Sequence, residues 1–87
     1  MNKNTNTKIR PALQERSREK RDRLLRAGMS VFSQYGYDQT RMTDIAAEAG
    51  VSVGVLYQRF DDKRGLFEVI VETLSHRLKE ELDTFFD

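Results

Sequence analysis

Along the first third of the chain, Leu24, Leu25, Val31, Phe32 and Tyr35, with Gly28 among them, recur every three to four residues. That is the period of one helical face. It predicts a first helix that starts between Pro11 and Arg18 and runs to about Tyr35. Gly36 can take the left-handed conformation that ends helices. Met1 to Arg10 has little to bury, and Pro11 keeps the residue before it out of the helical region, so this stretch reads as a mobile arm. After a turn over Gly36 to Gln39, Thr40 suits an N-cap, with Thr43 three residues on. A short second helix, Arg41 to Ala49, would turn Ile45, Ala46 and Ala49 inward before Gly50 stops it. Ser52 would cap a third helix from Val53 to about Phe60, with Leu56 and Phe60 on its inner face. Asp61 or Asp62 would cap a long fourth helix. There Leu66, Ile70, Leu74, Leu78, Leu82 and Phe85 trace one apolar stripe, widened by Phe67 and Val71. No strand alternation, internal repeat or low-complexity segment appears, so the fold class expected is all-α.

Charge adds a direction to this pattern. The formal net charge is only +1. From Met1 to Arg26, however, nine basic residues face three acidic ones, whereas from Gly65 to Asp87 two basic residues face six acidic ones. The basic end suits a polyanion, either a nucleic acid or a membrane surface. With 87 residues the chain holds one small domain with a marginal core. It has no cysteine to staple that core or to bind a metal. The start is too polar for a secretory signal, and no apolar run approaches the roughly 18 residues of a membrane span. A soluble, cytoplasmic protein is expected.

The stretch from Met42 to Asp61 carries the most information. Two short helices joined by a turn of about three residues that holds a glycine make the pattern of a DNA-binding helix-turn-helix. Ala46 is small where the two helices cross, and Gly50 permits the positive φ that reverses the chain. Ile45, Ala49, Val51 and Leu56 would fill the space between them. In such motifs the second helix enters the major groove. The recognition helix expected here is 53–60. Gln58 is able to pair with adenine, and Arg59 with guanine, with a phosphate or with nearby Asp62. Val53 or Val55 would meet a thymine methyl. The hydroxyl of Tyr57 suits a phosphate, although its ring also suits packing on the fourth helix. Thr40, Ser52 and Asp62 lie at or near helix N-termini that suit anions, and Lys63 is placed to clamp a phosphate. The first helix begins with Arg16, Arg18, Lys20, Arg21 and Arg23, either a phosphate-binding face or a solvated one paired with Glu15, Glu19 and Asp22. Lys8 and Arg10 in the arm would reach a minor groove.

The run Ala49-Gly50-Val51-Ser52, then Gly54, Leu56-Tyr57, Phe60, Lys63 and Leu66, preceded by Gly36-Tyr37-Asp38-Gln39-Thr40 and Asp44-Ile45-Ala46, resembles the TetR family of repressors. The resemblance covers roughly Ser17 to Phe86. It implies a helix-turn-helix DNA-binding domain over 16–62, a flexible basic arm over 1–15, and a connecting helix over 63–87. It also implies a homodimer on a palindromic duplex operator, controlled by a small-molecule inducer held in a C-terminal ligand domain. This chain ends about where that domain would begin, so a fragment that is monomeric or weakly dimeric is expected. By position, Ser52, Gly54, Tyr57 and Lys63 match the family's backbone-contact residues, and Thr43 matches a position that often touches phosphate. Val53, Val55 and Gln58 match variable positions that often read bases. Valine at 53 departs from a position that is often lysine, and Arg59 from one where histidine or an aromatic is common.

Other function classes compete less well. The apolar face of the fourth helix would also suit a protein-interaction module. The basic first segment would also suit an anionic membrane surface. Catalysis is not expected, because no nucleophile has an evident base and no glycine-rich phosphate loop is present. No cofactor is expected. His76, the single histidine, reads as a surface residue rather than a metal ligand.

Overall fold

One large apolar side chain from each helix, Leu24, Ile45, Leu56 and Leu66, is withdrawn completely from solvent. In the computed structural model these residues sit on α1 (Asn2–Tyr35), α2 (Met42–Ala49), α3 (Val53–Arg59) and α4 (Lys63–Phe86). The structure describes residues 2–86, with side chains from residue 12 to residue 86. Among the described residues there is no strand, as an all-α pattern requires. Leu25, Ala27, Val31, Met42, Ala46, Phe60 and Ile70 complete the core. Burial of each large apolar side chain is worth about 1.5–3 kcal/mol.

The helix ends follow local chemistry. Gly36 ends α1 at φ +82, its N–H donating to the Phe32 carbonyl at 2.8 Å. Gly50 stands at φ +73 beyond α2. Its N–H donates to Ala47 at 3.1 Å and that of Val51 to Ala46 at 3.0 Å. This paired closure satisfies two otherwise open carbonyls and turns the chain sharply toward α3. The Ser52 hydroxyl accepts from the Val55 N–H at 3.3 Å. Of the two candidate caps for α4, Asp62 takes the role, its carboxylate accepting from the Gly65 N–H at 2.7 Å.

Several expectations are corrected. α1 begins at Asn2, not between Pro11 and Arg18. Three asparagines and two threonines in residues 2–7 favour helix poorly, and Pro11 removes one helical hydrogen bond. The early start therefore has no local signal. The expected reach of Lys8 and Arg10 lies outside the described side chains. Arg41, not Thr40, is the N-cap of α2, and its N–H donates to the Asp44 carboxylate at 3.3 Å. Tyr35 belongs to the inner face by period, yet it is exposed, because α1 has passed the core by then. On α4 the stripe is buried only at Leu66 and Ile70, and Leu74, Leu78, Leu82 and Phe85 stand in solvent as the helix runs on past the other three.

α1 and α4 approach closely at Gly28. A Cβ there would lie 2.9 Å from the Ile70 Cδ1 and 3.4 Å from the Leu66 Cδ2. Beside this crossing, Phe32, Tyr37 and Phe67 form an aromatic triad. Phe32 stacks on Tyr37 with centroids 5.7 Å apart, and Phe67 meets both edge-on at 5.3 and 5.1 Å.

Candidate nucleic-acid interface

The outward face of α3 is set by its inward one. Leu56 and Phe60 are buried, so the residues between them and before them turn to solvent. Ser52, Gly54, Tyr57, Gln58 and Arg59 are exposed, while Val53 and Val55 are half-buried and Val53 packs on the core. A Cβ at Gly54 would meet only the Ser52 hydroxyl, at 3.8 Å, so nothing in the fold itself requires glycine there. Tyr57 keeps half of its surface open, at 49% exposure. Thr43 is exposed on α2. The helix-turn-helix thus presents Thr43, Ser52, Gly54, Tyr57 and Gln58 as accessible groups on α2, the turn and α3.

Three of the sequence-predicted residues are placed differently. Thr40 is buried at 2% exposure. Its hydroxyl donates to the Gly36 carbonyl at 2.6 Å and lies 3.4 Å from that of Val31. Its side chain therefore closes the α1–α2 turn from within and is no surface contact. Arg59 spans from α3 to α1, donating to the Ser17 carbonyl at 3.3 Å and to the Ser17 hydroxyl at 3.2 Å. Neither Asp62 nor a base is needed to account for its position. Lys63, on the first turn of α4, donates to the Tyr37 carbonyl at 2.7 Å, and its ammonium lies 4.3 Å from the centroid of the Tyr37 ring. A lysine ammonium has three donors, so this tie leaves donors for a phosphate.

Tyr37 falls in the turn that the sequence predicts and has no predicted role there. Tyr37 orients Lys63 through both its carbonyl and its ring. The available signal was an aromatic residue directly after the helix-ending Gly36. The N-terminus of α4 is filled by the Asp62 carboxylate. On α4, His76 is exposed and pairs with Glu80 at 2.8 Å. Among the described residues no group of three metal-capable side chains comes together, and no helix is long and apolar enough to cross a membrane.

The family of bacterial regulatory proteins described as tetR matches residues 24–70, from the buried part of α1 to the buried part of α4. The chain is 40% identical over 53 residues to the HTH-type transcriptional repressor BepR of Brucella suis, covering 61% of this chain and 25% of that protein. It is 39% identical over 67 residues to the HTH-type transcriptional regulator HbdR of an Aromatoleum species, covering 77% of this chain and 26% of that protein. Among solved structures, a TetR-family regulator from Mesorhizobium loti superposes with a TM-score of 0.76 at 32% identity, over 79% of this chain and 34% of that one. The fatty acid degradation regulator FadR from Bacillus halodurans superposes with a TM-score of 0.72 at 26% identity, over 75% of this chain and 34% of that one. The chain thus spans a quarter to a third of the length of these relatives.

Proposed function

From the premise that this chain belongs to the TetR family of bacterial regulatory proteins, we propose that it binds duplex DNA through its helix-turn-helix, with α3 in the major groove. The observation that carries the reading is the outward row on α3. Gln58 and the half-exposed Tyr57 lie beside the open backbone of Gly54, all backed by Leu56 and Phe60 in the core. Gln58 offers the donor–acceptor pair that matches adenine in the major groove. Tyr57 and the free donors of Lys63 hold phosphates and fix the register, and Thr43 and Ser52 add hydroxyls at the edge of the same surface. Val53 and Val55 supply apolar contact for a thymine methyl.

The whole protein acts as a transcriptional repressor on a palindromic operator, as a homodimer whose two recognition helices meet half-sites about one helical turn apart. Its binding is controlled by a small-molecule inducer held in a C-terminal ligand domain. The protein works in the cytoplasm and catalyses nothing.

Selection from a random duplex pool tests this reading. The wild type should enrich one short motif, and its affinity should fall steeply with salt. Gln58→Ala should relax one position of the motif by about 1–3 kcal/mol, and Tyr57→Ala should weaken binding evenly across sequences. Binding with no motif enriched, or a motif untouched by Gln58→Ala, would remove α3 as the reading element.

A further inference from the structure

α1 extends well beyond the domain it helps to build. Among its described side chains, which begin at Ala12, the first buried one is Leu24, so the turns from Ala12 to Arg23 project from the core, apart from contacts that half-bury Lys20 and Asp22. This projecting part lies ahead of the family match, which begins at residue 24. Its charges are sorted by face. Ser17 marks the side turned toward α3, because Arg59 bonds to it. Counted from Ser17 at about 100° per residue, Arg16, Lys20, Arg21 and Arg23 fall in one arc of about 160° around it. Glu15, Glu19 and Asp22 fall on the opposite side. The arc that holds the four cations contains no acid from Ala12 onward, and in the next turns it becomes the buried face of Leu24, Ala27 and Val31. One side of α1 thus begins as a basic ridge beside α3 and ends as core. Among the described residues, no carboxylate lies within ion-pair distance of these four cations, whereas Arg18, on another face, pairs with Glu15 at 3.8 Å.

We propose that this basic face of α1 is a second DNA contact, lying along the phosphate backbone beside the base pairs that α3 reads. The proposal rests on the DNA-binding reading above and deepens it. It assigns affinity and footprint length to α1 and sequence choice to α3. From Arg16 to Arg23 the helix rises about 10 Å, a length over which duplex DNA carries about six phosphate charges. The hydrogen bonds from Arg59 to Ser17 join the two surfaces, so the ridge keeps its angle to the recognition helix. A duplex suits this face better than a lipid surface does. A membrane-bound helix needs an apolar side, and among the described side chains ahead of Leu24 the one large exposed apolar side chain is Leu13.

The test is the slope of log affinity against log salt on a random-sequence 30-bp duplex, measured on the 87-residue chain. The quadruple variant Arg16→Gln, Lys20→Gln, Arg21→Gln, Arg23→Gln is compared with the wild type and with Arg16→Lys, Arg21→Lys, Arg23→Lys. Glutamine and lysine are both good helix formers, and circular dichroism checks the fold. The slope of the glutamine variant should be shallower by about 2–4, with the selected motif unchanged, and the lysine variant should stay within about 1 of the wild type. A glutamine variant that keeps both its helicity and its slope overturns the proposal and leaves the α3 reading standing. A reduced slope with no motif enriched even by the wild type supports α1 and removes α3. Wild type that ignores DNA but sediments with phosphatidylserine vesicles overturns the proposal in favour of a membrane surface. If the quadruple variant loses helicity, Arg16→Gln, Arg23→Gln takes its place, with an expected change of about 1–2.

Discussion

The ammonium of Lys63 rests on Tyr37, 2.7 Å from its carbonyl oxygen and 4.3 Å from the centroid of its ring. The pair ties the start of α4 to the α1–α2 turn. Lys63→Gln should lower stability by about 1–2 kcal/mol, because a charged hydrogen bond and a cation–π contact are lost from a half-buried site. It should also lower DNA affinity by more than the unfolded fraction explains. Urea denaturation gives the first quantity and a binding isotherm at fixed salt the second. Equal loss in both would make Lys63 a structural tie alone.

Thr40 separates a structural hydroxyl from a DNA-contacting one. Thr40→Val keeps the shape and removes the bond to the Gly36 carbonyl. The carbonyl loses its side-chain donor, which should cost about 1–2 kcal/mol. Once binding is corrected for the folded fraction, affinity for DNA should not change. Thr43→Val should do the reverse, with stability kept and affinity reduced.

Arg59 is held by Ser17, so Arg59→Ala should leave the selected motif as it is. Both of its hydrogen bonds are exposed, and the stability loss should stay below about 1 kcal/mol. What should change is the coupling between surfaces. In the Arg59→Ala background, the salt slope should depend less on the α1 cations. A changed base preference at one motif position would instead make Arg59 a base reader.

The α1–α4 crossing sets up a double-mutant cycle. Gly28→Ala gains about 1 kcal/mol of helix propensity but presses on the Ile70 Cδ1. Ile70→Val removes that methyl at a cost of about 0.5–1.5 kcal/mol. The double variant should be more stable than the sum of the single effects by at least about 0.5 kcal/mol. Thermal melts of the four proteins measure the coupling, and additive effects would show that the tip of Ile70 simply swings away.

Much of this protein is decided within four or five residues of sequence. The period of Leu24, Leu25 and Val31, the caps at Ser52 and Asp62, and the left-handed Gly36 and Gly50 are local features, and together they settle the end of α1, the end of α2 and the starts of α3 and α4. They determine four helices, their order and the sharp α2–α3 turn, and hence which face of α3 turns outward. The tertiary structure decided the partners. Thr40 turned inward, Lys63 settled on Tyr37, and Arg59 reached Ser17 across a separation of 42 positions. Those pairings depend on how the helices cross, and the crossing is set by packing at Gly28, Ala46 and the aromatic triad rather than by any neighbouring residue. The same limit explains α4. Its period runs unbroken to Phe85, but only the packing of the other three helices determines that burial ends at Ile70.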